Sequence, residues 1–273
     1  MLTFGGVIII SSWLALISFP QASNTDIESV PVIQKTSTRC EANNNWSLPV
    51  LMYHHIGNIP DSVRNDKIRI GLTVSLPAFK NQIESIKRLG YTTITFQEFS
   101  TAISTGVCLP ANPIVLTFDD GYSDNWDSAA ILKQNQMKAV YYIITDKVGL
   151  PDYLNWDQVH TLANDNNEIG SHTISHPDLT NLSNFQQRLE NEVNGSKKIL
   201  EQQGFSVVSF AYPAGKYNTA IAALVGDHYL FARTTHKGIF TSRSKRTEIG
   251  TIRMTEETNL SLILKKNDLS SDI

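Results

Sequence analysis

Several things are scarce in this chain. It has two cysteines, Cys40 and Cys108, in 273 residues, so one bridge at most can form and no disulfide framework carries the fold. Neither sign of charge dominates, and a formal net charge of −3 offers no basic surface for nucleic acid. Long apolar runs are missing beyond residues 4–19, which leaves no other segment able to cross a membrane. Internal repeats and low-complexity tracts are also absent, which excludes stacked-repeat architectures.

What remains is a chain with 41% hydrophobic residues, long enough for one large core. Single-domain α/β barrels commonly run to about 250 residues. Residues 4–19 are followed by Pro20-Gln-Ala-Ser23 and read as a secretory signal over 1–23, although no Lys or Arg precedes them. A retained anchor is the competing reading, but the run is short beside the roughly 20 residues of a spanning helix. Export would put the protein in a secreted, periplasmic or cell-surface location, where a Cys40–Cys108 disulfide persists. Two unpaired thiols are the alternative. Residues 24–47 read as a polar linker or poorly ordered leader, and 48–273 as a single domain.

Along that domain apolar runs of strand length alternate with helical patterns. A first strand covers 49–56 and a long polar loop 58–73. A helix then starts at Ser75, with Phe79, Ile83, Ile86 and Leu89 on its apolar face. Strands over 91–95, 113–118, 139–145, 207–212, 229–233 and 248–254 are separated by helices, including an amphipathic one over 182–203 with Leu189, Val193 and Leu200 inward. Such alternation predicts a parallel sheet with its loops gathered on one side.

The chain is organised around residues 113–122. Ile114, Val115 and Leu116 suit a buried parallel strand, and Asp119 and Asp120 sit at its C-terminal end. Side chains alternate along a strand, so these two acids take different orientations once Gly121 turns the chain. A bland reading makes one of them a helix cap. Farther on, His172 and His176 are four apart, a spacing that puts both imidazoles on one side of a helical turn stopped by Pro177. Two His and one carboxylate make a three-ligand site for a divalent metal with a position left for water. Only one of His54 and His55, at the end of the first strand, can point to a barrel mouth. Trp156 lines a pocket, orients a histidine, or simply packs in the core.

Thr117-Phe-Asp-Asp-Gly121, Ser171-His-Thr-Ile-Ser-His176 and Phe210-Ala-Tyr-Pro-Ala-Gly215 resemble the first three motifs of the polysaccharide deacetylases, also called the NodB-homology or carbohydrate esterase 4 family. Tyr53-His54 is similar to the N-terminal motif of the subgroup acting on poly-β-1,6-N-acetylglucosamine. The resemblance runs from about residue 49 to the C-terminal region. It implies a distorted (β/α)7–8 barrel in one domain, with a divalent metal held by Asp120, His172 and His176. Zn²⁺ is expected, with Co²⁺ or Ni²⁺ able to substitute in vitro. Asp119 becomes the general base and His54 the general acid, while Tyr122, Trp156, Tyr212, Pro213, Gly215 and Tyr217 fall at substrate-binding positions. The implied reaction is hydrolysis of the N-acetyl amide on an extracellular N-acetylglucosamine polymer. The implied partner is that polysaccharide, with no nucleic acid and no stable membrane span; oligomeric state is not indicated.

Two departures from the family pattern stand out. Many members carry an Arg that orients the catalytic Asp where this chain has Ala211, so Tyr212 or another group has to take over. Many also carry a His at a C-terminal strand end, and Thr251-Ile-Arg-Met254 has none, which fits the subgroup with its acid on the first strand. Peptidoglycan, chitin oligomers or an O-acetylated polysaccharide are alternative substrates. An inactive carbohydrate-binding barrel is a further alternative, against which the intact Asp119, Asp120, His172 and His176 argue.

Overall fold

The structure, a computed structural model, describes residues 46–182 and 184–268. The expected signal, the leader up to residue 45, and Cys40 lie outside the described residues. Seven strands form a ring: β1 (Val50–Tyr53), β2 (Pro113–Phe118), β3 (Val140–Ile143), β4 (Glu168–Ser171), β5 (Ser209–Ala211), β6 (Phe231–Lys237) and β7 (Ile249–Arg253). Each pairs in parallel with the next in sequence, and β7 returns to β1 through Ile252 opposite Leu51. The expected barrel is thus seven-stranded and closed, which leaves none of the seven with an open edge. Its distortion is visible at β2, where a two-residue strand, Thr92–Thr93, pairs the N-terminal end and β3 pairs the C-terminal end.

Faces alternate along each strand, and residues in register on neighbouring strands share a face. Val50 is opposite Val115, and Ala211 is opposite Arg233. Val50, Val115, Val140, Tyr142, Ala211, Phe231 and Ile249 belong to one apolar cluster, which fills the lumen; Phe96, Phe99 and Phe240 close its lower end. Leu51, Leu116, Phe118, Tyr141, Phe210 and Ile252 belong to the other, facing outward under the helices. Burial on both faces is why the strands read as continuous apolar runs.

Between the strands lie α1 (Lys67–Leu72), α2 (Leu76–Arg88), α3 (Phe96–Thr105), α4 (Asn125–Gln134), α5 (Trp156–Asn164), α6 (Phe185–Glu190), α7 (Ser196–Gln202) and α8 (Thr219–His228), and α9 (Leu260–Asp268) follows β7. Ser75 caps α2, which buries Phe79, Gln82, Ile83 and Ile86, a spacing that matches the helical period. Among the described residues no helix is long and apolar enough to cross a membrane.

Four local expectations change. The first strand does not run unbroken to Ile56: it stops at Tyr53, and His55–Ile56 pairs separately with Thr73–Val74. The cause is that its partner β2 ends at Phe118, opposite Tyr53. The loop over 58–73 contains α1, because Asp66 accepts from the amides of Ile68 and Arg69 at its N-terminus. The helix expected over 182–203 is α6 and α7 joined by a π-helical turn, Asn191–Gly195. Finally, Trp46 and Ser47, assigned to the leader, are ordered: Trp46 packs edge-on against Phe99 and Phe240, and Ser47 pairs with Thr241.

At the lower end of the lumen, buried Glu168 accepts from the amide of Gln97 at 2.8 Å, at the N-terminus of α3, and from the Ser209 hydroxyl. Burial pushes its carboxyl up to about 7, and the hydrogen bonds only partly oppose this. The unfolded chain releases this proton near the ordinary 4.5, the folded chain near 7, so the folded state binds more protons across that window. The contribution of Glu168 to stability should therefore fall as pH rises from 4.5 to 7, by on the order of 3 kcal/mol. Denaturant unfolding of wild type and Glu168→Gln across this range checks it. The stability of wild type relative to Glu168→Gln should fall over that window, and a constant difference would reject the assignment.

Candidate active site

Functional side chains gather where the strands end, on the face of the barrel that carries the strand-to-helix loops. On β2, Val115 faces the lumen, and alternation carries that face through Thr117 to Asp119. Asp120 and Gly121 then both take left-handed backbone conformations, with φ of 71° and 73°. For Asp120 this is a costly conformation, of the kind that persists where surrounding structure imposes it. It swings the second carboxylate off the strand direction toward the loop after β4. A Cβ on Gly121 would lie 3.1 Å from Ile143 Cδ1, so a side chain here would crowd β3 as well as strain the turn.

That loop carries His172 and His176. The expected helical turn is not there: Thr173 and His176 have φ of 68° and 59°, and the segment is irregular. The imidazoles converge all the same. Their Nε2 atoms lie 3.3 and 3.5 Å from Asp120 Oδ1, and one donor atom from each of the three residues falls within 4.8 Å of the others. His172 Nδ1 donates to the Ala211 carbonyl at 2.7 Å, which orients the ring with Nε2 toward Asp120. Burial and the neighbouring His172 push the His176 imidazole down to about 4, which keeps it neutral. Burial alone would raise the Asp120 carboxyl, but its bond to His172 and the nearby imidazoles hold it below the ordinary range. Two converging imidazole nitrogens and an ionised carboxylate are the donor set that a divalent metal requires.

The loop itself is pinned from beneath. Glu192 is buried and accepts from the amides of Ile174 and Ser175, each at 2.9 Å, and from the Ser175 hydroxyl at 2.7 Å. It lies in the π-helical turn, whose extra residue re-aims the side chains that follow it. Glu192 was not singled out in the sequence; acidic residues are frequent on amphipathic helices and this one reads as part of a solvated face.

Asp119 is buried between two bases. His54 Nε2 is 3.4 Å from its Oδ2, and Arg233 Nη2 donates to its Oδ1. Burial pushes the His54 imidazole down, and the carboxylates of Asp119 and Asp120 pull it back up. His55 faces elsewhere: its Nδ1 is 2.8 Å from Asp124, its ring stacks on Tyr122 at 3.7 Å, and Arg69 packs against it. Tyr212 does not approach Asp119. It lies on the face opposite Ala211, where its hydroxyl donates to the Thr247 carbonyl at 2.9 Å. Arg233 is the residue that reaches Asp119, and it was not among the candidates.

The remaining candidates divide. Tyr122 borders the site beside His55 and Tyr153. Pro213 is buried, and Gly215 approaches β6 so closely that a Cβ would lie 2.0 Å from Thr235 Oγ1. Tyr217 stacks on Tyr212 and lines an open cavity of about 520 Å³ with Gly215, Asn218, His236 and Glu248. Trp156 is half-buried and stacks on Phe205 against the outer core. Of the two cysteines, Cys108 is disulfide-bonded.

Comparison with known proteins supplies the remaining evidence. The family profile described as polysaccharide deacetylase matches residues 106–230. YxkH of Bacillus subtilis, named for the same family, is 31% identical over 210 residues, 74% of this chain and 70% of that protein. The peptidoglycan-N-acetylglucosamine deacetylase of Bacillus cereus is 30% identical over 110 residues, 40% of this chain and about half (49%) of that protein. The solved structure of the Streptococcus pyogenes deacetylase PplD in complex with acetate superposes with a TM-score of 0.74 at 26% identity, covering 81% of this chain and 98% of that one. The barrel, the strand-end acids and these relatives agree: the chain belongs to the polysaccharide deacetylase family.

Proposed function

We propose that the protein is a metal-dependent N-deacetylase of an extracellular N-acetylglucosamine polymer, with poly-β-1,6-N-acetylglucosamine the favoured substrate. The observation that carries this reading is His54, at the end of β1, facing Asp119 beside the Asp120–His172–His176 group. Asp120, His172 and His176 would hold the metal, with Zn²⁺ the ion that suits two imidazoles and a carboxylate. When bound, it supplies Lewis-acid polarisation of the acetyl carbonyl and a water that is nucleophilic at neutral pH.

The chain's own groups do the rest. Asp119 keeps Oδ1 on Arg233 and turns Oδ2 toward the reacting centre, the orientation a general base needs to take a proton from the attacking water. His54 then delivers a proton to the departing nitrogen, and Asn125 Nδ2 fixes that end of β1 by donating to the His54 carbonyl at 2.6 Å. The backbone amide of Tyr122, just after the Gly121 turn, is a donor for the oxyanion. Thr251, at the lumen-facing position of β7, cannot act as an acid, which leaves that task to β1.

A second reading, in which the substrate is the glycan strand of peptidoglycan, is favoured by the Bacillus cereus relative. Acetate release from oligomers of poly-β-1,6-N-acetylglucosamine, from peptidoglycan strands and from chitin oligomers separates the two. The first should be hydrolysed fastest, with activity lost on chelation and restored by Zn²⁺. Faster turnover of peptidoglycan selects the second reading, and no acetate from any of them with metal-loaded protein rejects deacetylation.

The assignment of the acid predicts a selective defect. An amine leaves poorly without a proton whereas an activated aryl ester does not need one, so His54→Ala should lower N-deacetylation about 10²-fold and spare the ester. His55→Ala should show no such selectivity. The ratio of amide to ester rates in both variants is the measurement, and a selective amide defect in His55→Ala would transfer the role.

The pinning of the metal loop predicts a remote effect. Glu192→Ala leaves the amides of Ile174 and Ser175 without their acceptor, so the purified variant should retain about 10-fold less metal, as expected for partners that orient ligands. His172→Ala, which removes a donor, should lose it altogether. Full metal content in Glu192→Ala, by elemental analysis, would show that the loop holds its shape unaided.

A further inference from the structure

The arginine that the family pattern places at position 211 is absent here, yet Asp119 has a guanidinium partner. Arg233 supplies it from the neighbouring strand. Ala211 and Arg233 are direct register partners in the β5–β6 pair, so their Cβ atoms sit side by side and point into the same lumen. Ala211 contributes only a methyl group, and the long side chain of Arg233 reaches Asp119 beside it.

The placement is specific. Arg233 is fully buried, with no exposed surface, and is the largest side chain so enclosed among the described residues. Its Nη2 donates to Asp119 Oδ1, its Nη1 donates to the Thr234 carbonyl at 3.1 Å, and the guanidinium carbon lies 5.2 Å from the centre of the Tyr142 ring. A buried arginine keeps its charge, so the structure tolerates it only against a matching anion. The anion it meets is Asp119, and the oxygen it takes is the one His54 does not face.

We propose that Arg233 is the positioning residue for Asp119. The guanidinium has been relocated one strand over, and the Ala211–Arg233 pair as a unit replaces a single arginine on β5. The inference rests on the reading of Asp119 as the general base. The hydrogen bonds of Arg233 go to Asp119 and the Thr234 carbonyl, with none to Asp120, His172 or His176 among the described residues, so its loss should act through the carboxylate alone.

A double-mutant cycle with a relocation variant tests this. Arg233→Met should lower kcat about 10²-fold through misplacement of the base, with KM changed less than about threefold and metal content unchanged. Added to Asp119→Asn, it should cost nothing more, because a group acting only through Asp119 has no further effect once the carboxylate is gone. Arg233→Ala combined with Ala211→Arg should recover at least about a tenth of the wild-type kcat, while Arg233→Ala alone does not. Additive losses, or loss of metal in a folded Arg233→Met, would assign Arg233 a purely structural role and overturn the proposal. If Arg233→Met does not fold, the relocation variant decides, and its failure to restore activity while folded counts against the proposal. A crystal structure of the relocation variant gives an answer independent of turnover: Asp119 should keep its place, bonded to the guanidinium from position 211, and a displaced carboxylate overturns the proposal. If the wild-type protein releases no acetate, the proposed function fails while this structural result still stands or falls by itself.

Discussion

The upper end of the lumen is a place where charge is buried and has to be balanced. Arg233, Asp119 and Asp120 are all withdrawn from water there, and a buried ion left unpaired costs several kcal/mol. The resulting constraint is mutual. Arg233 requires Asp119, Asp120 requires the imidazoles of His172 and His176, and His54 takes the remaining oxygen of Asp119. None of these groups can be chosen independently, because each one's partner arrives from a different strand. The barrel exists, in this sense, to bring the ends of β1, β2, β4, β5 and β6 within hydrogen-bond distance, and its apolar lumen below supplies the stability that such a cluster lacks.

Much of this was legible in the sequence because it depends on period-two alternation and on local chemistry. Strands written as apolar runs, the Ser75 cap and the turn at Gly121 follow from residues near one another in the chain, whereas the convergence of Asp120 with His172 and His176, far apart in sequence, was legible only through the motifs that carry them. The histidine spacing led to the right convergence for the wrong local reason. Left-handed residues at Thr173 and His176, not a helical turn, fold the loop back; His is enriched in that conformation, but a β-branched Thr there is an outlier that no propensity rule anticipates. Its support is Glu192, twenty residues after His172 and itself displaced by a π-helical turn that an amphipathic pattern does not reveal.

Arg233 was missed although a signal for it existed. Tyr212 follows Ala211 directly, so alternation puts it on the other face of β5, and its hydroxyl duly meets Thr247 outside the lumen. A substitute for an inward side chain at 211 has to come from an inward position on an adjoining strand. In the run Phe231-Ala-Arg233 the arginine is conspicuous for lying in a buried strand at all. What the sequence could not supply was the lateral register that sets Arg233 against Ala211, since register between parallel strands joined by a helix is fixed by packing rather than by a turn.

Register is also what makes the site all-or-none. His54 and His55 are adjacent and chemically alike, and only the phase of β1 against β2, with Met52 opposite Thr117 and Tyr53 opposite Phe118, decides which of them faces Asp119. A slip by one residue would turn Leu51 and Tyr53 into the lumen and Val50 and Met52 out of it, exchanging two sets of buried side chains of different size. Each such exchange strains or empties the core by amounts of about 1–5 kcal/mol, so the slipped arrangement is excluded by packing many residues away from the chemistry. The identity of the proposed acid is therefore set by the packing of the barrel beneath it. The same holds for Arg233, whose inward direction is shared with Phe231 two residues before it, in the aromatic cluster that closes the lumen.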